Sequence, residues 1–205
     1  MNLHRVDGDS EWSGLDPKTW NGWQRLANQT KGAITPGNAI TLLGLGLTAV
    51  GTYYLYVNEL LIAAGLLMLG RVLDVADGWV ADKTGTKSAF GEAFDAGVDK
   101  IVTIGVVLVL LVMQILPIWL LTGLLGLQLA NVVVIAYKRS KGVKTHSTLI
   151  GKYSMAMVWL SLVGLILALA VSGPVGAIVE IVAYVAAVLS IALGVLALRD
   201  YISMR

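Results

Sequence analysis

Long apolar runs alternate with short polar connections along this chain. Six runs are long enough to cross a bilayer, since a hydrocarbon core about 30 Å thick needs roughly 20 helical residues. They cover approximately residues 39–57, 60–81, 93–114, 117–137, 153–172 and 176–198. These runs lack the period-two alternation of a transmembrane barrel. The pattern therefore predicts an all-α integral membrane protein, a bundle of six transmembrane helices.

Composition agrees with this interpretation. Of the 205 residues, 57% are hydrophobic and 14% are charged, whereas soluble domains carry about 25% charged residues. The formal net charge of +2 is too small to indicate a nucleic-acid partner. The chain contains no cysteine, so a metal site would need oxygen ligands or histidine.

Lysine and arginine mark one end of the predicted helices. The connections at 58–59, 114–117 and 172–175 contain neither residue, whereas the connection at 82–92 contains two and that at 138–152 contains five. Because lysine and arginine in short loops stay on the cytoplasmic side, both termini are predicted to be cytoplasmic. We expect a multi-pass protein of the plasma (inner) membrane.

The first 34 residues form a separate cytoplasmic segment in this interpretation, followed by a six-helix domain over 35–205. Asp16-Pro17 and Thr35-Pro36 each combine an N-cap residue with a first-turn proline. Tryptophans and basic residues at helical spacing predict an amphipathic helix over 17–30, lying at the membrane interface.

Acidic residues cluster where the second run ends and the third begins. Asp74 and Asp77 are three residues apart, and Asp95 and Asp99 are four apart, so each pair shares one helix face. Carboxylates at a membrane boundary are costly unless they are paired or bound to metal. All-oxygen ligation favours Mg²⁺, Mn²⁺ or Ca²⁺ over zinc, and four carboxylates could hold two ions.

These residues carry a family resemblance. The segment from Asp74 to Asp99 is similar to the signature of the CDP-alcohol phosphatidyltransferases, D-x2-D-G-x2-A-R-x8-G-x3-D-x3-D, with every spacing intact. One position departs, because Asp82 stands where the family has arginine. Lys83 or Arg71 could supply the missing positive charge, and a catalytically impaired member is the alternative.

The resemblance implies a substrate, a cofactor and a mechanism. CDP-diacylglycerol would bind with its diphosphate on two Mg²⁺ or Mn²⁺ ions held by Asp74, Asp77, Asp95 and Asp99, and Asp99 would act as the general base. The acceptor hydroxyl would attack the lipid-bearing phosphorus and release CMP. The resemblance also implies that the protein contacts membrane lipids and forms a homodimer. The implied nucleotide-binding residues are Asn38, Asp77, Gly78, Ala81, Asp82, Ser88 and Gly91.

The acceptor is predicted from a basic segment between the fourth and fifth runs. A phosphorylated polyol would suit a pocket of lysine and arginine, although orientation in the membrane alone also explains positive charge there. The candidate residues are Lys138, Arg139, Lys144 and Lys152. Gly151-Lys152 is similar to an element of the phosphatidylglycerophosphate synthases, which makes glycerol 3-phosphate the first choice and inositol phosphate the second.

A cation transporter is the competing class of function. Intramembrane carboxylates also line ion pathways, but a transporter predicts polar residues at several depths and interrupted helices near the midplane. Here the four aspartates lie at one end of two helices. The sequence therefore favours an enzyme.

Overall fold

The computed structural model describes residues 16–141, 143 and 148–203. Within them the chain forms a 3-10 turn at Pro17–Thr19 and seven α-helices. The helices are α1 (Gly22–Gln29), α2 (Pro36–Tyr56), α3 (Leu60–Thr84), α4 (Ala89–Met113), α5 (Ile118–Ser140), α6 (Leu149–Ala170) and α7 (Pro174–Ser203). Helices α2 to α7 follow the six apolar runs to within a few residues, which confirms the all-α prediction.

Among the described residues, four helices are long and apolar enough to cross a membrane: α2, α5, α6 and α7. Together they indicate a membrane protein. Helix α3 has the necessary length, but it carries Arg71, Asp74 and Asp77 within its span. The count of six spans, which includes α3 and α4, therefore stays a prediction.

The N-terminal region differs from the single helix predicted over 17–30. Asp16 accepts a hydrogen bond from the Lys18 amide and caps only the short 3-10 turn. Asn21 then starts α1 through a capping box, in which its side chain and that of Gln24 each bond the other's backbone N–H. Because an N-cap residue has a non-helical backbone, Asn21 divides the segment in two. Binding of α1 at the membrane interface stays a prediction.

The described residues divide into two compact units. The first comprises residues 16–52 and 65–103, and the second comprises 53–64 and 104–203. In the second unit, α6 and α7 pack closely through small residues: the Ser154 hydroxyl donates to the Ser190 carbonyl at 3.0 Å, and a Cβ on Gly164 would lie 2.9 Å from that of Ala183.

In the first unit, glycines bring α2 against α3. Gly37, Gly44 and Gly51 recur every seven residues along α2. A Cβ at Gly37 or Gly44 would lie 3.2 Å from a backbone carbonyl oxygen of α3, that of Asp77 or of Gly70. Small residues allow helix backbones in membranes to approach closely. This approach places the polar side chains of α2 beside the aspartates of α3.

Candidate active site

Three aspartates of the first unit converge at one point. Asp74 and Asp77 lie on α3 and Asp95 lies on α4, and one carboxylate oxygen from each lies within 4.8 Å of the other two. The i,i+3 spacing on α3 presents its two carboxylates on the same side of the helix. The sequence predicted this convergence as part of a four-aspartate cluster.

Two observations show that this trio fits a divalent cation. Asp95 Oδ1 is buried and has no hydrogen-bond partner within the part of the chain that the structure describes. An unsatisfied buried carboxylate oxygen is costly, and a cation would satisfy it. The donor set consists of carboxylate oxygens, the ligands that Mg²⁺ and Mn²⁺ prefer.

Asp99, the fourth predicted ligand, has a different environment. Arg71 Nη1 forms an ion pair with Asp99 Oδ1, and Arg71 Nη2 lies 3.0 Å from Asp74 Oδ2. One guanidinium therefore bridges α3 and α4. Arg71, a candidate substitute for the family's arginine, contacts two of the aspartates instead.

Helix α2 contributes a hydroxyl to the site. Asp77 is 5% exposed, and the Thr41 hydroxyl donates a hydrogen bond to its Oδ2. The glycine contacts between α2 and α3 make this bond possible, since Thr41 lies between Gly37 and Gly44. Sequence reasoning missed both Arg71's bridging contact and Thr41, although the i,i+3 spacing of Arg71 and Asp74 was a usable signal.

A cavity opens beside the aspartate trio. Its lining includes six of the seven residues implied as nucleotide-binding: Asn38, Asp77, Gly78, Ala81, Ser88 and Gly91. Thr35, Gly37, Thr41, Thr86, Lys87 and Asp95 complete the lining. The structure therefore places the predicted metal ligands Asp77 and Asp95 in the wall of the cavity that these residues share.

Small residues keep this cavity open. A Cβ on Gly91 would lie 3.2 Å from both Asn38 Oδ1 and Ser88 Oγ, so a larger residue would crowd the wall. A Cβ on Gly78 would meet no atom within 4 Å. Because Gly78 lines the cavity, a Cβ there would project into open space of the cavity rather than clash with the protein.

Asp82, the seventh residue of that set, does not line the cavity. It is exposed at the last turn of α3 and forms an ion pair with Lys87, which does line the cavity. Lys83, the other candidate for the missing charge, lies over the Trp79 ring with Nζ 3.9 Å from the ring centroid.

The predicted acceptor residues belong to the second unit. Lys138 Nζ donates to the Ile202 carbonyl at 2.8 Å, and Lys152 is exposed near the start of α6. Lys144 and the side chain of Arg139 lie outside the described residues. The acceptor pocket stays a prediction.

Comparison with known proteins identifies the family. The family model for CDP-alcohol phosphatidyltransferase matches residues 34–196. The chain is 41% identical over 63 residues to an uncharacterised protein of Aquifex aeolicus, covering 31% of this chain and 32% of that protein. It is 31% identical over 90 residues to an archaetidylinositol phosphate synthase of Pyrococcus horikoshii, covering 43% and 47% of the two chains.

The chain spans less than half the length of either curated relative. The family match, however, covers most of the chain and includes α2 to α6 and the aspartate trio. This protein therefore belongs to the CDP-alcohol phosphatidyltransferase family.

Proposed function

We propose that this protein transfers the phosphatidyl group of CDP-diacylglycerol to the hydroxyl of a phosphorylated alcohol and releases CMP. The observation that carries this proposal is the carboxylate trio, two of whose members, Asp77 and Asp95, line a cavity of small and polar residues. The trio fits a divalent cation, and the cavity offers space beside it for the nucleotide. The active site would lie on the cytoplasmic side of the plasma membrane.

Each group of the site has a role in this proposal. Asp74, Asp77 and Asp95, together with Asp99, would hold Mg²⁺ or Mn²⁺, with two ions expected. Bound divalent cations supply charge neutralisation for the diphosphate and the departing phosphate. The hydrogen bond from Thr41 orients Asp77. Gly78, Ala81, Ser88 and Gly91 would border the nucleotide, and Asn38 would lie at its edge.

Asp99 would accept the proton of the acceptor hydroxyl. The acceptor oxygen then forms a bond to the phosphorus that carries diacylglycerol, and the bond from that phosphorus to the CMP oxygen breaks. The electron pair of that bond leaves with CMP, and the proton stays on Asp99 until water removes it. Arg71 holds Asp99 Oδ1, which fixes the direction of the carboxylate for this proton transfer.

Glycerol 3-phosphate is the acceptor that the sequence favours, through Gly151-Lys152 and the basic segment before it. Inositol phosphate is the second candidate, and the similarity to an archaetidylinositol phosphate synthase supports it. Lys138, Arg139, Lys144 and Lys152 would bind the acceptor phosphate in either case. A homodimer, implied by the family, stays a prediction.

A release assay with a panel of acceptors tests the proposed function. Purified protein with CDP-diacylglycerol and Mg²⁺ should release CMP when glycerol 3-phosphate or inositol phosphate is added, but not with glycerol or inositol. Removing the metal with EDTA should abolish release, and Mg²⁺ or Mn²⁺ should restore it, because the clustered carboxylates need a counter-charge to accept a diphosphate. No release with any acceptor would indicate a catalytically impaired member.

Gly78→Leu should block the cavity without weakening the fold. A Cβ at Gly78 would meet no atom of the described residues within 4 Å, and leucine is favoured over glycine in a helix by about 0.8 kcal/mol. We therefore expect an unchanged or higher melting temperature, together with a KM for CDP-diacylglycerol raised about tenfold or more. Gly46→Leu, at an exposed position of α2 with equally open surroundings, is the matched control and should leave KM unchanged.

A further inference from the structure

The chain departs from its family at one charged position. Asp82 takes the place of the family's arginine, which puts a negative charge near a cavity that we propose to bind a diphosphate. Lys87 forms an ion pair with this carboxylate and also lines the cavity. A residue of the cavity lining thus carries a positive charge, five positions later in the chain than the family's arginine.

The turn between α3 and α4 explains how Lys87 comes to face Asp82. Helix α3 ends with Gly85 in the left-handed region, at φ 61°. The amide of Thr86 bonds the Ala81 carbonyl and that of Gly85 bonds the Asp82 carbonyl, the pattern of a Schellman motif. This motif folds the chain back over the end of α3, so that Lys87 comes beside Asp82.

Both sides of this turn are fixed. Helix α1 contacts the turn through two amide donors: Asn21 Nδ2 bonds the Thr84 carbonyl at 3.1 Å, and Gln24 Nε2 bonds the Gly85 carbonyl at 3.2 Å. On the other side, the Ser88 hydroxyl accepts from the Gly91 amide at 3.0 Å and caps α4. Lys87 therefore projects from an anchored backbone.

The ion pair is weak enough to yield to a ligand. The side chains of Lys87 and Asp82 are 38% and 53% exposed, and exposed ion pairs contribute little to stability because water screens them. A diphosphate offers more negative charge and more acceptor oxygens than one carboxylate, so the ammonium of Lys87 gains by turning to it. The other candidate cations have different contacts: Lys83 covers Trp79, and Arg71 bridges Asp74 and Asp99.

We propose that Lys87 contacts the diphosphate of the CDP-lipid in place of the family's arginine. Asp82 is then a positioning residue that holds the Lys87 ammonium at the cavity when the nucleotide is absent. This inference rests on the proposed function of the cavity as the CDP site.

Kinetics and direct binding test the contact. Lys87→Met should raise the KM for CDP-diacylglycerol about tenfold. It should also raise the dissociation constant for CDP, measured with Mg²⁺ present, about tenfold, because this is the usual effect of losing a charged hydrogen bond. The value of kcat should stay within about threefold of wild type, since Lys87 would hold the same phosphate before and during transfer. Lys87→Arg should restore binding. Lys83→Met, which removes a lysine from the same stretch of chain, is the matched control and should change neither constant.

A double variant separates contact from simple neutralisation of Asp82. If Lys87 contacts the diphosphate, Asp82→Asn/Lys87→Met should bind CDP about tenfold more weakly than Asp82→Asn alone. If Lys87 only neutralises Asp82, the two should bind equally, and that result would overturn the inference. An unchanged CDP affinity in Lys87→Met would overturn it as well.

The two proposals fail in different ways. Wild-type protein that binds CDP and releases CMP, but whose Lys87→Met variant matches it, would refute only the role of Lys87. Wild-type protein that neither binds CDP nor releases CMP would refute both the proposed function and this inference. Wild-type protein that binds CDP without releasing CMP would refute the proposed function, and CDP affinity would still decide the role of Lys87.

Discussion

Asp95→Asn should lower the rate of CMP release by about a thousandfold or more. Asp95 contributes the buried oxygen that has no hydrogen-bond partner within the described structure and is the α4 member of the carboxylate trio. An amide in its place would offer the cation a neutral ligand. Charge stabilisation by a bound cation is worth about 4 kcal/mol in such a transition state, which corresponds to about a thousandfold in rate.

Thermal unfolding distinguishes this effect from misfolding. Without metal, Asp95→Asn should be as stable as wild type or more stable, because it removes one of several like charges that lie close together. Mg²⁺ or Mn²⁺ should raise the melting temperature of wild type, since ligands that bind only the folded state stabilise it, but should not raise that of the variant. Asp200→Asn, the same substitution near the end of α7, should retain both the metal effect and CMP release. Retained turnover in Asp95→Asn would refute the assigned role.

Arg71→Met should reduce both stability and turnover. The guanidinium bridges Asp74 and Asp99, whose side chains are 22% and 19% exposed, and its loss removes a cationic contact from two partly buried carboxylates. We expect the metal-free protein to lose about 2 kcal/mol of unfolding free energy and kcat to fall about a hundredfold as Asp99 loses its orientation.

A lysine variant tests whether the site requires the two-carboxylate bridge or only the positive charge at residue 71. Arg71→Lys keeps the charge but cannot span two carboxylates with a planar fork, so it should recover stability more fully than kcat. Arg199→Met, which removes an exposed arginine from α7, should change neither quantity. Equal kcat values for Arg71→Lys and wild type would show that charge alone, and not the bridge, is what the site requires.

Local features of this fold were predictable from the sequence. Thr35 and Pro36 start α2 as expected, and the backbone N–H of Asn38 donates to the Thr35 hydroxyl at 3.1 Å. The helical spacing of Asp74 and Asp77 likewise predicted a shared face, because neighbours on one helix follow from helix geometry alone. The apolar runs fixed the long helices for the same reason.

Features that depend on two elements meeting were not predictable in this way. The partner of Arg71 on α4 and that of Thr41 on α3 depend on how closely and at what rotation the helices pack. The seven-residue spacing of Gly37, Gly44 and Gly51 indicates that α2 packs closely against another helix, but it does not indicate which helix that is. Lys87 was missed because its contact with Asp82 depends on the left-handed turn at Gly85.

The contact between α1 and the turn at Thr84 and Gly85 bears on where the folded domain begins. The family match starts at residue 34, whereas Asn21 and Gln24 supply hydrogen bonds to two carbonyls next to the cavity wall. A boundary drawn from family similarity would therefore cut away donors that the turn uses. By the criterion of hydrogen bonding, the folding unit extends back at least to residue 21, so α1 is a structural support of the turn beside the cavity rather than an appendage.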